Sequence, residues 1–579
     1  MRVRFFILAA VLACQPAVAY AQGTVPAPGQ PILSAQSRLL PVLAQNGMVS
    51  SQERRASEIG VEILRRGGNA VDAAVATGFA LAVTLPRAGN LGGGGFMLVH
   101  LAKTGETIAI DYREIAPAAA TRDMFLDSKG DPDPEKSRDS GLSVGVPGTV
   151  RGLALAHEKY GSGKFTLANL IEPAARLARE GIPVEEDLAD SLPAATAKFA
   201  KFPASAAIFL KDGKALPRGD RLVQSDLATT LEAIRQQGPE TFYAGRIASQ
   251  IAKSVRDAGG VMTEADLAAY KPVLRPVVRG SYRGYEIASM PPPSSGGVHL
   301  VQILNILEGF DLKSMGAGSA AHLHTLAEAM KPAYADRATF LGDPDRVKIP
   351  VKGLTSKKYA EAQRAGIDPL RARKAEALKS GDPLPYESDQ TTHFSVVDRE
   401  GNAVSNTYTL NFSYGMGMVA AGTGVLMNNE MDDFSAKTGA QNAYGLVGGD
   451  TNSVAPGARP LSSMTPTFLF RNGKLVMVTG SPGGSRIITT VLQVITNVVD
   501  FGMNIAEAVA APRIHHQWKP DAVLIETGLS PDSLRILTDR GHEVRLGTTS
   551  GSANSILITP EGITGASDPR QRGTAAAGY

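Results

Sequence analysis

The chain reads as a mixed α/β (α+β) protein, helix-rich over its first two thirds and β-rich over its last third. Three observations point there. Apolar residues recur at helical spacing over most of residues 149–340. From Thr391 onward, short segments of alternating character meet at tight turns. Hydrophobic residues make up 43% of the 579 residues and charged ones 20%, a balance that suits a large folded core rather than wholesale disorder.

Residues 1–21 read as a secretory signal. Arg2 and Arg4 form a basic start, Phe5 to Ala13 an apolar stretch, and Ala19-Tyr20-Ala21 a small-x-small site, so cleavage is predicted after Ala21, with a periplasmic or secreted product. The apolar run is too short to span a bilayer, and no later run approaches the needed length. Cys14 offers an alternative, because Val11-Leu12-Ala13-Cys14 resembles a bacterial lipoprotein processing site. Cys14 is the only cysteine, so cleavage after Ala21 leaves a chain without disulfides, thiol catalysis or Cys-ligated metal. The formal net charge is +3, and losing Arg2 and Arg4 makes it +1. That gives no electrostatic case for nucleic acid or an anionic membrane.

After a Pro/Ala/Gln-rich leader to about residue 45, Ser50–Arg66 has helical spacing and stops at Gly67-Gly68. Asn69 caps a second helix over 70–81. Gly92 to Gly95 lead into a strand at 96–99, with 107–110 as its hairpin partner. A helix at 149–160 follows, then a strand pair near 274–289 and a break at 291–297. Residues 352–390 are polar and rich in Lys, Ala, Pro and Asp, as an exposed connection would be. Beyond Thr391, residues 392–397 and 403–410 form one hairpin, and 467–470 with 475–478 form a second around Asn472-Gly473. A helix at 487–499 and strands at 522–525, 543–546 and 554–558 complete the reading.

Generic chemical motifs are weak. Gly161-Ser-Gly-Lys164-Phe165 lacks the Ser/Thr of a phosphate loop, and Gly415-Met-Gly417 precedes no helix. Gly141-Leu-Ser143-Val-Gly145 matches a nucleophile elbow, but a polar segment precedes it and Pro147-Gly148 follows, so it reads as a glycine loop. His322, His324, His515 and His516 lack an evident third ligand, so no metal or cofactor is predicted. Thr391 is different. A Thr hydroxyl needs a base, and a Thr freed at a chain end carries one in its own α-amine, of pKa about 7.7–8.0. Thr391 follows a polar connection and opens a strand, where cleavage would generate such a residue, although its position alone fits an ordinary strand start as well.

The segment Asp389-Gln390-Thr391-Thr392-His393-Phe394-Ser395-Val396-Val397-Asp398 resembles the processing site of the γ-glutamyltranspeptidases (γ-glutamyltransferases), self-cleaving N-terminal-nucleophile (Ntn) hydrolases. Further resemblances run in family order: Asn90 to Leu98, Asp111 to Pro117, Gly145 to Gly148, Pro291 to Gly297, Asn428 to Phe434, Arg459 to Pro466 and Gly480 to Ser485. The resemblance implies a four-layer αββα sandwich formed jointly by a large subunit, 22–390, and a small subunit, 391–579, cut from one precursor between Gln390 and Thr391. It also implies that Thr391 attacks γ-glutamyl compounds such as glutathione and passes the glutamyl group to water or to an amino acid or peptide acceptor.

By the same resemblance, Thr409 orients the nucleophile, and Gly483 and Gly484 supply the oxyanion hole. Arg113 with Ser462 and Ser463 takes the substrate α-carboxylate; Asp433, Glu430 and Asn411 take its α-ammonium, as a separate half of the receptor. The segment Ala443 to Asp450 resembles the family's lid loop, with Tyr444 as its cover. Many bacterial members carry Gln where Glu430 stands, and the extra charge is expected to strengthen ammonium binding. Asn90-Leu91 replaces the usual Ser/Gly-Ile, with no consequence legible in the sequence. Two other readings are a glutaryl or cephalosporin acylase of the same superfamily and a non-catalytic periplasmic γ-glutamyl peptide-binding protein. Glutaryl lacks the ammonium that Asp433 and Glu430 suit, and an intact Thr391 argues against the second.

Overall fold

Strand alternation organises the molecule. The computed structural model describes residues 39–381, 392–440, 448–547 and 551–579, so the predicted signal, Cys14, Gln390, Thr391 and Tyr444 lie outside the described residues. Two seven-stranded sheets form the centre, antiparallel throughout. The first runs Ala575–Gly578, Met48–Ser51, Thr392–Val397, Ala403–Thr409, Gly94–Leu101, Glu106–Tyr112 and Val273–Pro276. The second runs Val42–Ala44, Gly562–Ser567, Asn554–Thr559, Lys474–Thr479, Thr467–Arg471, Tyr285–Ser289 and Val278–Tyr282.

Successive side chains of a strand face opposite ways, and here both faces are buried. Phe96 and Leu98 join Phe468, Phe470, Val478 and Ile556 in a core between the sheets. Their neighbours Met97 and Val99 face outward onto helices Arg54–Arg65, Ala70–Thr84 and Thr149–Tyr160, in a second core. On the far side, Leu469 and Met477 meet helices Gly296–Leu307, Ala320–Phe340 and Arg486–Val499 in a third. The layers are therefore helix, sheet, sheet, helix: the αββα sandwich. Ala70–Thr84 is apolar on nearly every face, and every residue of it is buried, as such a helix must be. Its start carries the predicted cap, since Asn69 accepts from the Val71 and Asp72 N–H groups and Asp72 accepts from Asn69 N–H in return.

All three predicted hairpins form, with Val99 opposite Ile108, Val397 opposite Ala403 and Arg471 opposite Lys474. Three expectations are corrected. Met48–Ser51 is strand, and the first helix starts only at Arg54, where Glu53 accepts from Ala56 N–H. The strands near 274–289 divide between sheets: Val273–Pro276 pairs with Glu106–Tyr112, while Val278–Tyr282 and Tyr285–Ser289 form a hairpin in the other sheet. The supposed exposed connection contains helices Val351–Leu354 and Lys357–Ala365, with Leu354 and Ala360 in the third core. Strands Gly562–Ser567 and Ala575–Gly578 went unread, because small residues carry little strand signal. Among the described residues no helix is long and apolar enough to cross a membrane.

Candidate active site

The hairpin that Thr392 opens is the scaffold. Thr392, next to the undescribed Thr391, pairs with Tyr408, and Thr409 ends the partner strand. The strand beside it needs the glycine run: a Cβ at Gly93 would sit 1.9 Å from Thr409 O, and one at Gly95 2.4 Å from Tyr408 Cβ. Asn90, which had no role in the sequence, donates to Thr409 O at 2.7 Å and accepts from Gly93 N–H at 3.0 Å. It therefore ties the glycine run to the end of the hairpin.

Thr409 opens onto a cavity of about 510 Å³ shared with Gln52, Asn411, Ser413, Gly483 and Arg486. Thr409 Oγ1 accepts from Asn411 N–H at 2.7 Å, and Asn411 has left-handed backbone, φ 72°, which Asn tolerates better than most residues. Its Nδ2 donates to Asn429 O at 3.0 Å, which turns the carbonyl edge of the amide away from Asn429. Gly483 and Gly484, at φ 131° and 68°, make the turn from the Lys474–Thr479 strand to the Arg486–Val499 helix. A Cβ at Gly483 would lie 2.8 Å from the Gly551 backbone. Their carbonyls accept from Arg486 and Ile487 N–H, whereas their own N–H groups meet no acceptor among the described residues. Two adjacent amides with no internal partner suit a developing oxyanion.

Arg113 follows the Glu106–Tyr112 strand and is fully buried. Its Nε donates to Pro460 O at 3.0 Å and Nη2 to Leu461 O at 3.3 Å, which sets it against the segment leading into Ser462. Its Nη1 pairs with Glu430 and its Nη2 with Asp433, and Glu114 lies 3.7 Å from Nη1. The cation and the carboxylates expected as separate halves are thus in direct contact. Burial pushes Glu114 up to about 7, with Arg113 opposing and Asp433 adding to the rise. Burial, then repulsion from Glu114 and Asp433, likewise pushes Glu430 well above the carboxylate range, against the pull of Arg113. Glu430 Oε2 and both Glu114 oxygens have no hydrogen-bond partner among the described residues, which favours the protonated acids. Burial thus works against the ionised form of both Glu114 and Glu430, while the shared guanidinium of Arg113 favours it.

Ser462 and Ser463 are buried beside this cluster. Ser462 Oγ accepts from Met464 N–H at 3.1 Å, and Ser463 Oγ accepts from Arg337 Nη2. Sequence reasoning missed Arg337 and its neighbour Tyr334, whose hydroxyl donates to Ser485 O just beyond the glycine pair. Both lie on the Ala320–Phe340 helix, whose buried Glu328, Lys331, Tyr334, Asp336 and Arg337 were a signal of polar work. It also missed Asn452, which donates to Asp433 O at 2.7 Å and accepts from Leu461 N–H at 3.1 Å, joining the acidic turn to the serine segment.

Ser143 is buried and donates to Ser140 O at 2.7 Å, with no strand before it and no helix directly after, so it is a loop serine. His324 Nδ1 lies 2.8 Å from His542 Nε2, and His516 Nε2 lies 3.2 Å from Asp521. No group of three or more His, Cys, Asp or Glu among the described residues is placed to hold a metal ion.

Residues 56–578 match the family described as Gamma-glutamyltranspeptidase. The glutathione hydrolase proenzyme of Escherichia coli (strain K12) is 55% identical over 541 residues, 93% of each chain. The acylase ACY 1 proenzyme of Pseudomonas sp. (strain V22) is 39% identical, over 93% of this chain and 94% of its own. The crystal structure of a cephalosporin acylase from Bacillus halodurans matches with a TM-score of 0.83 at 29% identity, covering 94% of this chain and 97% of that one. Fold and site together define an Ntn hydrolase. Within that class, the chain belongs to the gamma-glutamyltranspeptidase family.

Proposed function

We propose that the chain is an exported, self-processing γ-glutamyltransferase with glutathione hydrolase activity. Cleavage after Ala21 removes the signal, and cleavage between Gln390 and Thr391 yields a large subunit, 22–390, and a small one, 391–579, that stay together as a heterodimer. No metal or cofactor takes part. Thr391 Oγ attacks the γ-carbonyl carbon of a γ-glutamyl donor; its proton passes to the new α-amine and then to the departing amine nitrogen as the C–N bond breaks. The γ-glutamyl ester is then broken by water or by the amine of an amino acid or peptide, which receives the acyl group while the Oγ–carbon bond is lost. Thr409 orients the nucleophile, and the Gly483 and Gly484 N–H groups receive the oxyanion, each such donor contributing about 3 kcal/mol.

Recognition follows from the buried charges. A γ-glutamyl group carries a carboxylate and an ammonium at one carbon. The carboxylate takes Arg113 with the Ser462 and Ser463 hydroxyls, and the ammonium takes Asp433, Glu430 and the Asn411 carbonyl. The ligand's two charges thereby replace part of the contact that Arg113 makes with Glu430 and Asp433. The charges are already buried, so little further desolvation opposes binding. Tyr444 covers the site. What carries this reading is the convergence of Thr409, Asn411 and Gly483 on one cavity at the end of the hairpin that Thr392 opens.

The acylase relative and the acylase structure favour a second reading, hydrolysis of glutaryl donors. Glutaryl has no ammonium for Asp433, so wild-type turnover of γ-glutamyl donors should exceed that of glutaryl donors. N-terminal sequencing of the smaller fragment is the direct test: it begins Thr-Thr-His in active enzyme, and Thr391→Ala leaves an uncut, inactive chain. Normal maturation of Thr391→Ala would falsify the assignment.

A further inference from the structure

The helix Arg486–Val499 starts directly after the glycine pair, and Ser485, Thr489 and Gln493 run along one of its faces at a spacing of four. All three are buried, and all three reach one strap of chain, Ile514 to Gln517. Gln493 grips Ile514 at both backbone groups: its Nε2 donates to Ile514 O at 2.8 Å, and its Oε1 accepts from Ile514 N–H at 3.0 Å. Thr489 Oγ1 lies 2.9 Å from His515 Nδ1. The last rung stands beside the glycines. Ser485 Oγ donates to Gln517 Oε1 at 2.6 Å, and His515 Nε2, 3.4 Å from the Ser485 hydroxyl, donates to the same oxygen at 2.9 Å. Burial pushes the His515 imidazole down to about 3, so the ring is neutral and its one N–H goes to Gln517. The strap is fixed in turn, because the indole of Trp518 donates to Ala375 O at 2.9 Å and to Leu378 O at 3.1 Å.

We propose that Gln517 is a positioning residue for the reaction: by holding the Ser485 hydroxyl, it fixes the Gly483–Gly484 turn in the geometry that receives the oxyanion. The proposal rests on the oxyanion role given above to that glycine pair. Glycine has the most backbone freedom of any residue, and neither glycine has a side chain with which to hold itself. The first side chain after them is Ser485, and it is gripped at two atoms, its carbonyl by the Tyr334 hydroxyl and its own hydroxyl by Gln517. Oxyanion donors act only from the right place, and small displacements of a site are costly to the rate. The hydroxyl spent on Gln517 makes no cap bond to the helix, whose positive end adjoins the turn and favours an anion there. Gln517 touches no reacting atom in this scheme and acts through Ser485 alone.

The test uses the processed enzyme with γ-glutamyl-p-nitroanilide as donor and two inhibitors, glutamate and its analogue with a boronic acid in place of the γ-carboxylic acid. Thr391 Oγ adds to the boron, its proton goes to the α-amine, and one boronate oxygen takes the oxyanion position, whereas glutamate forms no such adduct. Wild type should bind the boronate at least about a hundredfold more tightly than glutamate, as a mimic of the transition state. Gln517→Leu and Ser485→Ala should each lower kcat about three- to tenfold, with KM changed less than twofold. Each should weaken the boronate by about the same factor and leave glutamate within about twofold. The double variant should be no worse than the poorer single one, since both remove one bond. Ser485→Ala deletes a single oxygen and keeps the test open if Gln517→Leu does not fold. An unchanged kcat, a parallel loss of boronate and glutamate binding, or additive losses in the double variant would overturn the role of Gln517. A wild type that binds the two inhibitors equally would instead sink the oxyanion role of the glycine pair, so the two failures are distinct.

Discussion

Glu114 shows how one buried side chain ties the active site to pH. It is fully buried beside Arg113, and burial raises its pKa from 4.5 to about 7. The folded chain then binds more protons than the unfolded one between those values, so stability from this group is fully present below about 4.5 and is lost as pH rises to about 7. Glu114→Gln removes that loss. The variant should match wild type in melting temperature near pH 4.5 and exceed it by a few degrees at pH 8. Melting curves across pH check this, and a difference independent of pH would contradict the charge argument. Single residues also mark the reach of sequence reading. Arg113, Glu430 and Asp433 were legible as charges suited to a zwitterion, because the motifs that carry the family resemblance are local. Their mutual contact was not, since 317 and 320 positions separate Arg113 from its two partners.

At the scale of elements, the Ala320–Phe340 helix braces two parts of the site at once. Tyr334 and Arg337 are three residues apart and so share a face. One donates to Ser485 O just beyond Gly483 and Gly484, and the other donates to Ser463. A hydroxyl whose lone pair accepts from a guanidinium turns its own proton elsewhere, as the carboxylate-binding role proposed for Ser463 requires. Tyr334→Phe should lower kcat about three- to tenfold with KM changed less than twofold, because it loosens the glycine turn without touching the donor's charges. Arg337→Met should chiefly raise the KM for γ-glutamyl donors. Steady-state kinetics separate the two, and an identical pattern in both variants would remove the assignment of separate tasks. The hairpins were readable because period-two alternation and Asn-Gly turns are short-range signals, visible in Thr392–Val397 and at Asn472-Gly473. The Ala575–Gly578 strand was not: its alanines and glycine have no strand preference, and only the open edge of Met48–Ser51 makes them one.

For the whole molecule, each sheet draws on both sides of the proposed cut. The first takes four strands from before residue 382 and three from after 391; the second takes three and four. Trp518 Nε1 donates to Ala375 O at 2.9 Å and Asp521 accepts from Ala375 N–H at 2.9 Å, so the chain leading toward the cut is pinned to the C-terminal part. Cutting one peptide bond therefore should not release either piece. The two fragments should co-elute in native gel filtration and unfold in one calorimetric transition; two independent transitions would contradict the shared sheets. The sequence by itself determined the local matters, helix caps and hairpin turns, and through its family resemblance it pointed to the residues proposed to meet a γ-glutamyl group. Only the tertiary structure decided which strands share a sheet, that Arg113 rests on the very carboxylates it was expected to stand apart from, and that a helix from before the proposed cut props the glycine turn after it. Caps and turns are set by neighbours a few residues away, whereas sheet order and buried ion pairs depend on how distant faces pack once their apolar sides leave water.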